Sequence, residues 1–167
     1  MHIQQLQISF DAREDRLLLR IATEEREEIR VALTRRLVKV LWPHLMRMLD
    51  GHLGAVESDH GATAPSPAAG RFDAVYDEDK LSHPLGIEPV LAMESRLQAI
   101  DGPACRITLG EIRARKVSFE CDRDLLLALC TMIRATVNKA EWDLDLDALP
   151  FPEDTPSPPP VVTPTLH

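Results

Sequence analysis

An α+β fold built from two copies of one strand–strand–strand–helix unit is what this sequence predicts, and three observations carry that prediction. Between Arg16 and Asp50 the apolar residues recur first at every second position and then at helical spacing. The same succession recurs 88 residues later, without a gap. The stretches between and after the two copies are acidic and rich in Pro, Gly, Ala and Ser.

In the first copy, Leu6, Ile8 and Phe10 alternate with Gln5, Gln7 and Ser9, which is half-buried strand behaviour, and the turn Asp11 to Asp15 follows. Leu17, Leu19 and Ile21 form a second strand. The charged run Thr23 to Glu28 interrupts the pattern, and Ile29, Val31 and Leu33 resume it as a third strand. Leu37, Val38, Val40, Leu41, Leu45, Met48 and Leu49 then recur at helical spacing. Thr34 stands where the helix wants an N-cap, because its hydroxyl can accept from a first-turn amide. Asp50–Gly51 is a plausible stop, and Pro43 predicts a kink or change of direction between Lys39 and Trp42.

In the second copy, Cys105, Ile107 and Leu109 take the places of Leu17, Leu19 and Ile21, and Val117, Phe119 and Cys121 those of Ile29, Val31 and Leu33. Asp122 replaces Thr34 as the cap residue, ahead of Leu125, Leu126, Leu129 and Ile133. A slip of one residue would invert every face, so the preserved parity specifies register. A first strand is expected over 90–100, ending at the turn Asp101–Gly102–Pro103. In each copy a helix should cover one face of a small antiparallel sheet. A unit of about 50 residues is too small to be comfortably stable, so the two should share a core or each pair in a dimer. The expected organisation is a first unit over 1–50, a flexible linker over 51–88, a second unit over 89–140 and an acidic, Pro-rich tail over 141–167. Within the linker, only Phe72, Val75 and Tyr76 look able to dock.

Charge divides along the same lines. Residues 1–49 carry nine basic and seven acidic groups, and residues 89–138 seven and six. Residues 50–88 carry two and eight, and residues 139–167 one and six. The net charge of −8 therefore belongs to the connecting pieces, and the expected folded units are slightly basic. No run approaches the about 18 apolar residues of a membrane span, and Met1 to Phe10 lacks the layout of a signal peptide. Three cysteines without such a signal favour reduced, buried thiols and a cytoplasmic setting.

Motifs of chemistry are missing from the chain. Its six histidines have no zinc-ligand spacing, and no nucleophile elbow, phosphate-cradling glycine loop or His–Glu helix motif occurs. No catalytic, cofactor-binding or metal-binding residue is therefore assigned. Cys105, Cys121 and Cys130 could lie close together, but Leu17 and Leu33 hold the places of Cys105 and Cys121 in the first copy, which favours core filling. The outer sheet faces offer Arg16, Arg20 and Arg30 in the first copy, and Arg106 and Lys116 with the turn residues Arg113 and Arg115 in the second. After the second helix, Trp142, Leu144 and Leu146 alternate with aspartates as an edge strand or a peptide for a partner; closure of the second unit's core is the bland reading of Trp142. Those seven basic residues and Trp142 form the candidate binding surface.

The tandem sheet-plus-helix plan resembles, in topology alone, the Whirly and PUR-type single-strand-binding proteins. Their units carry four strands and motifs not found here, so no residue roles are carried over. The leading expectation is a non-enzymatic protein-interaction or assembly module, self-associating as a dimer or docking on a larger complex. The alternative is a single-stranded nucleic-acid binder that uses the arginine face, with the acidic tail competing for it; such a platform also needs stacking aromatics, and none projects from that face.

Overall fold

The computed structural model describes residues 1–54 and 81–146. Its fold is α+β. A four-stranded sheet contains β1 (Ile3–Asp11), β2 (Arg16–Thr23), β3 (Glu28–Thr34) and β4 (Val90–Ala92) in that order. A three-stranded sheet contains β5 (Glu94–Ile100), β6 (Ala104–Gly110) and β7 (Lys116–Asp122). Helix α1 (Arg35–Asp50) follows β3, and α2 (Arg123–Lys139) follows β7. The proposed docking residues Phe72, Val75 and Tyr76, most of the linker and nearly all of the Pro-rich tail lie outside the described residues.

Local chemistry sets the element ends. The side chain of Thr34 accepts from the amide of Leu37 at 3.2 Å, and that of Asp122 from the amide of Leu125 at 2.8 Å, so each helix begins on a satisfied first turn. Gly51 donates to the Arg47 carbonyl at 3.0 Å. A side chain at Gly51 would meet that same oxygen at 2.9 Å, so close approach explains the glycine there. Helix α1 stays helical throughout Arg35–Asp50, across Pro43. The turn after β5 passes through Gly102 at φ +78°, a conformation that favours glycine.

Register places the expected apolar faces inward. Leu17 pairs with Leu33, Leu19 with Val31 and Ile21 with Ile29, and all six are buried. Cys105 pairs with Cys121, Ile107 with Phe119 and Leu109 with Val117, likewise buried. Each large aliphatic side chain so removed from water contributes about 1.5–3 kcal/mol.

Two features depart from the sequence reading. Residues 90–100 form two strands that meet at Met93. Val90–Ala92 runs parallel to β3, with Val31 opposite Val90 and Leu33 opposite Ala92, whereas Glu94–Ile100 runs antiparallel to β6. Val90 and Ala92 are buried while Glu94 and Arg96 are exposed, so the alternation changes where the chain changes sheets. The helices also do not keep to their own halves. Helix α1 packs against β5 as well as β3, α2 packs against β1 as well as β7, and the two helices touch. The result is one hydrophobic cluster drawn from both halves, Leu6, Leu19 and Leu45 together with Ile107, Phe119 and Ile133. A half of about 50 residues is marginal as a separate core, and packing each helix against strands of both halves encloses the apolar faces jointly.

Further ties join the halves. His52 Nε2 lies 2.9 Å from the Ala104 carbonyl oxygen. The Trp142 ring meets Phe10 edge-on at 6.1 Å between centroids, and its indole N–H donates to Asp15 at 2.8 Å. Leu81 to Glu88 runs beside the first sheet, where Ser82 accepts from the Glu28 amide at 2.8 Å and donates to the Arg26 carbonyl at 2.9 Å.

Candidate functional site

The basic residues of the two sheets sit where strand parity puts them, and carboxylates sit beside nearly all of them. Arg16 lies 3.6 Å from Asp11 and 3.4 Å from Glu14. Arg20 and Arg30, cross-strand neighbours, both pair with Glu28, whose side chain is only 1% exposed. Arg20 reaches Glu28 at 3.0 Å. A buried carboxylate needs such partners, because an unpaired ion would lose its hydration without compensation. In the second sheet Arg106 pairs with Glu120 at 2.7 Å and Lys116 with Glu94 at 3.0 Å. Thr108 and Ser118, which occupy the positions matching Arg20 and Arg30, share a hydroxyl–hydroxyl hydrogen bond of 2.7 Å.

Arg115 is committed inside the structure. Its Nη1 donates to the carbonyls of Leu85 and Glu88, both at 3.0 Å, and its Nη2 to that of Pro89 at 3.3 Å. Nε and Nη2 reach the two oxygens of Glu111 at 3.4 and 2.6 Å. All five guanidinium N–H groups thereby have an acceptor. The Arg115 hydrogen bond holds the Glu111 carboxyl below its usual range. Arg113, exposed and at φ +60°, makes no ion pair among the described residues.

Trp142 lies inside the core, 5% exposed, with the Arg35 guanidinium 5.2 Å above its ring. It closes on β1 and the turn after it, so it ties the segment after α2 to the first half of the chain. Leu144 and Leu146, half-buried behind it, are not in a strand: each amide donates to the carbonyl two residues earlier. The candidate basic residues thus divide among separate ion pairs, and Trp142 joins none of them on a common surface.

The three thiols are fully enclosed. Burial, and then the nearby Asp122, pushes Cys105 up to about 11. Burial, and then Cys105, pushes Cys130 up to about 12. Cys121 is raised too, first by burial and then by Cys105, Asp122 and Cys130. Thiols so raised stay protonated near neutrality and are poor nucleophiles and poor metal ligands. Among the described residues no group of three or more His, Cys, Asp or Glu is placed to hold a metal ion, and no helix is long and apolar enough to cross a membrane.

What sequence reasoning missed is an apolar surface around the strand switch. Ile87, Met93 and Ile112 are 65%, 59% and 55% exposed, and Leu91 is exposed beside them. The Arg115–Glu111 pair ties together the backbone segments that carry Ile87, Leu91 and Ile112. Arg115 holds the carbonyls on either side of Ile87 in the 85–89 loop, and Glu111 accepts from the Leu91 amide. Ile112 follows Glu111, and Met93 donates to the Gly110 carbonyl at 2.9 Å. The available signal was parity: Leu91 and Met93 alternate with the buried Val90 and Ala92, so both had to face outward. No protein-family model, characterised protein or solved structure matches this chain.

Proposed function

We propose that this chain is a non-enzymatic protein-interaction module that self-associates or docks on a larger protein assembly. Its contact surface in this reading is the apolar patch of Ile87, Leu91, Met93 and Ile112. One observation carries the proposal: four large apolar side chains stand in water around a fully satisfied charge clamp, on the segment where the sheets join. Contiguous exposed apolar surface costs solubility, and it is retained where a partner covers it.

The duplicated architecture belongs to the same reading. β3 and β7 begin 88 residues apart, as do α1 and α2, and Thr34 and Asp122 cap them alike. A tandem repeat joined by an acidic linker, with an acidic tail in a cytoplasmic setting, accounts for this spacing. The patch draws on the 85–89 loop, β4, the strand switch and the β6–β7 turn, and apolar residues so exposed are not found at the matching places of the first copy, so the copies would share folding residues and differ in binding residues.

The nucleic-acid alternative draws less support. Six of its seven cationic candidates are neutralised by neighbouring carboxylates, and phosphate contacts need cations available to replace counterions. Two measurements decide. Sedimentation velocity over a concentration series should show association that Met93→Glu with Ile112→Glu abolishes; a monomer at every concentration removes the self-association arm. Titration of a labelled single-stranded oligonucleotide into the full chain, and into a chain ending after residue 146 so that Trp142 keeps its place, should show no salt-sensitive binding. Tighter binding by the shortened chain would favour the alternative.

A further inference from the structure

The two sheets close on one side and leave a seam on the other. Strands β3 and β4 pair in parallel and join the halves, while the outer edges of β1 and β7 have no strand partner among the described residues. A cleft of about 350 Å³ lies between those two edges, with Met1, His2 and Ile3 along one wall and Ser118, Phe119 and Glu120 along the other.

Ladder phase fixes what β7 offers there. Thr23 donates to the Glu27 carbonyl, so Ile21/Ile29, Val31/Leu19 and Leu33/Leu17 are the pairs that exchange hydrogen bonds. The backbones of Glu28, Arg30 and Ala32 then point away from β2. Glu28 accordingly donates to Ser82, and Ala32 sits opposite Leu91 of β4. Glu111 donates to the Arg115 carbonyl in the same way, so the backbones of Lys116, Ser118 and Glu120 point away from β6. Glu120 is the counterpart of Ala32, 88 residues on. Where Ala32 faces a strand, Glu120 faces the cleft.

We propose that the β7 edge is an acceptor for a short extended peptide from a partner protein, added as a strand parallel to β7. The strand already seated on β3 indicates the chemistry of the occupant. Val90 and Ala92 point inward and are buried, and Leu91 points out. A peptide on β7 therefore carries small or branched apolar residues at alternate positions, facing Phe119 and Leu125 in the cleft. Its intervening residue lies over the exposed Arg106–Glu120 pair and is polar. Main-chain hydrogen bonds supply the affinity and the alternate pockets the selectivity. Met1 to Ile3 walls the opposite side, and the occupant proposed for the seam is a single strand rather than the folded edge of a second copy. This surface is separate from the apolar patch and stands or falls without it.

The test uses the full chain and a synthetic peptide with the sequence of residues 88–93 in which serine replaces the leucine of position 91, with amide exchange followed by NMR. Exchange at the Glu120 and Ser118 amides should slow about tenfold as the peptide saturates. The same peptide N-methylated at its alanine, which removes a ladder donor, should have no effect, and Glu120→Pro should abolish the response to the unmodified peptide. Unchanged exchange at Glu120, or equal protection by the methylated peptide, overturns the proposal. Protection of the same amides on raising protein concentration alone also overturns it, because the occupant would then be a second copy.

Discussion

Arg115 holds five acceptors that come from two separate segments, the 85–89 loop and the Glu111 turn. A lysine keeps the charge but replaces a planar fork with a single ammonium. Arg115→Lys should therefore lower the thermal midpoint and speed amide exchange at Val90 and Leu91, read by exchange mass spectrometry; unchanged exchange there would deny the clamp. Acid should loosen the same place. The Glu111 carboxyl is depressed, so its contribution is present above the ordinary carboxylate value and is lost as pH falls through the lower folded value. The cysteines behave in the opposite sense. Their folded values are raised from 9.0, so burial of the protonated thiols stabilises the fold fully below about pH 9, and that stability declines as pH rises toward the folded values. Native chain at pH 8 should resist iodoacetamide at all three thiols and react once unfolded by urea; fast native labelling would show that the thiols are not enclosed. Much of this scale was legible in advance. Thr34 and Asp122 cap as their hydroxyl and carboxylate chemistry suggests. The carboxylates beside the arginines were not read: the charged run Thr23 to Glu28 reads as a solvated turn, whereas Glu28 begins β3 and is buried between Arg20 and Arg30. What parity cannot give is the distance of each pair.

At the scale of elements, alternation located six of the seven strands and both helices. The seventh arose because residues 90–100 change partner at Met93, a consequence of where the second sheet must start relative to the first. Local patterning does not encode that choice, since Val90 and Ala92 are buried by β3, about 60 positions earlier. Trp142 shows the same effect. Its place after α2 suggested closure of the nearer core, but the exchanged helix carries it to Phe10 and Asp15 in the first half. Removing a buried aromatic of this size costs about 3–5 kcal/mol. Trp142→Ala should show a loss of that order by urea denaturation, and Trp142→Phe, which keeps the ring contact and drops the N–H donor, a smaller one. A loss below about 1 kcal/mol for the alanine would mean that the contact with β1 contributes little.

For the whole molecule, exchanged helices make one core out of two halves that are individually too small. Residues 1–54 and residues 81–167, made as separate chains, should each lack cooperative unfolding by circular dichroism and regain it when mixed; independent folding of either would overturn the shared-core description. As proposed, other molecules would meet this core at the apolar patch and at the edge of β7, which has no strand partner among the described residues, while ion pairs occupy most of the arginine face. The most direct test of this account compares three proteins by cross-linked co-purification from the native cell with quantitative mass spectrometry: the unaltered chain, Met93→Glu with Ile112→Glu, and Arg106→Ala with Arg113→Ala. The account predicts that bound protein, further copies of the chain included, falls about tenfold with the patch variant and is kept by the arginine variant. Equal recovery by the patch variant, or recovery of nucleic acid that disappears with the arginines, would contradict it.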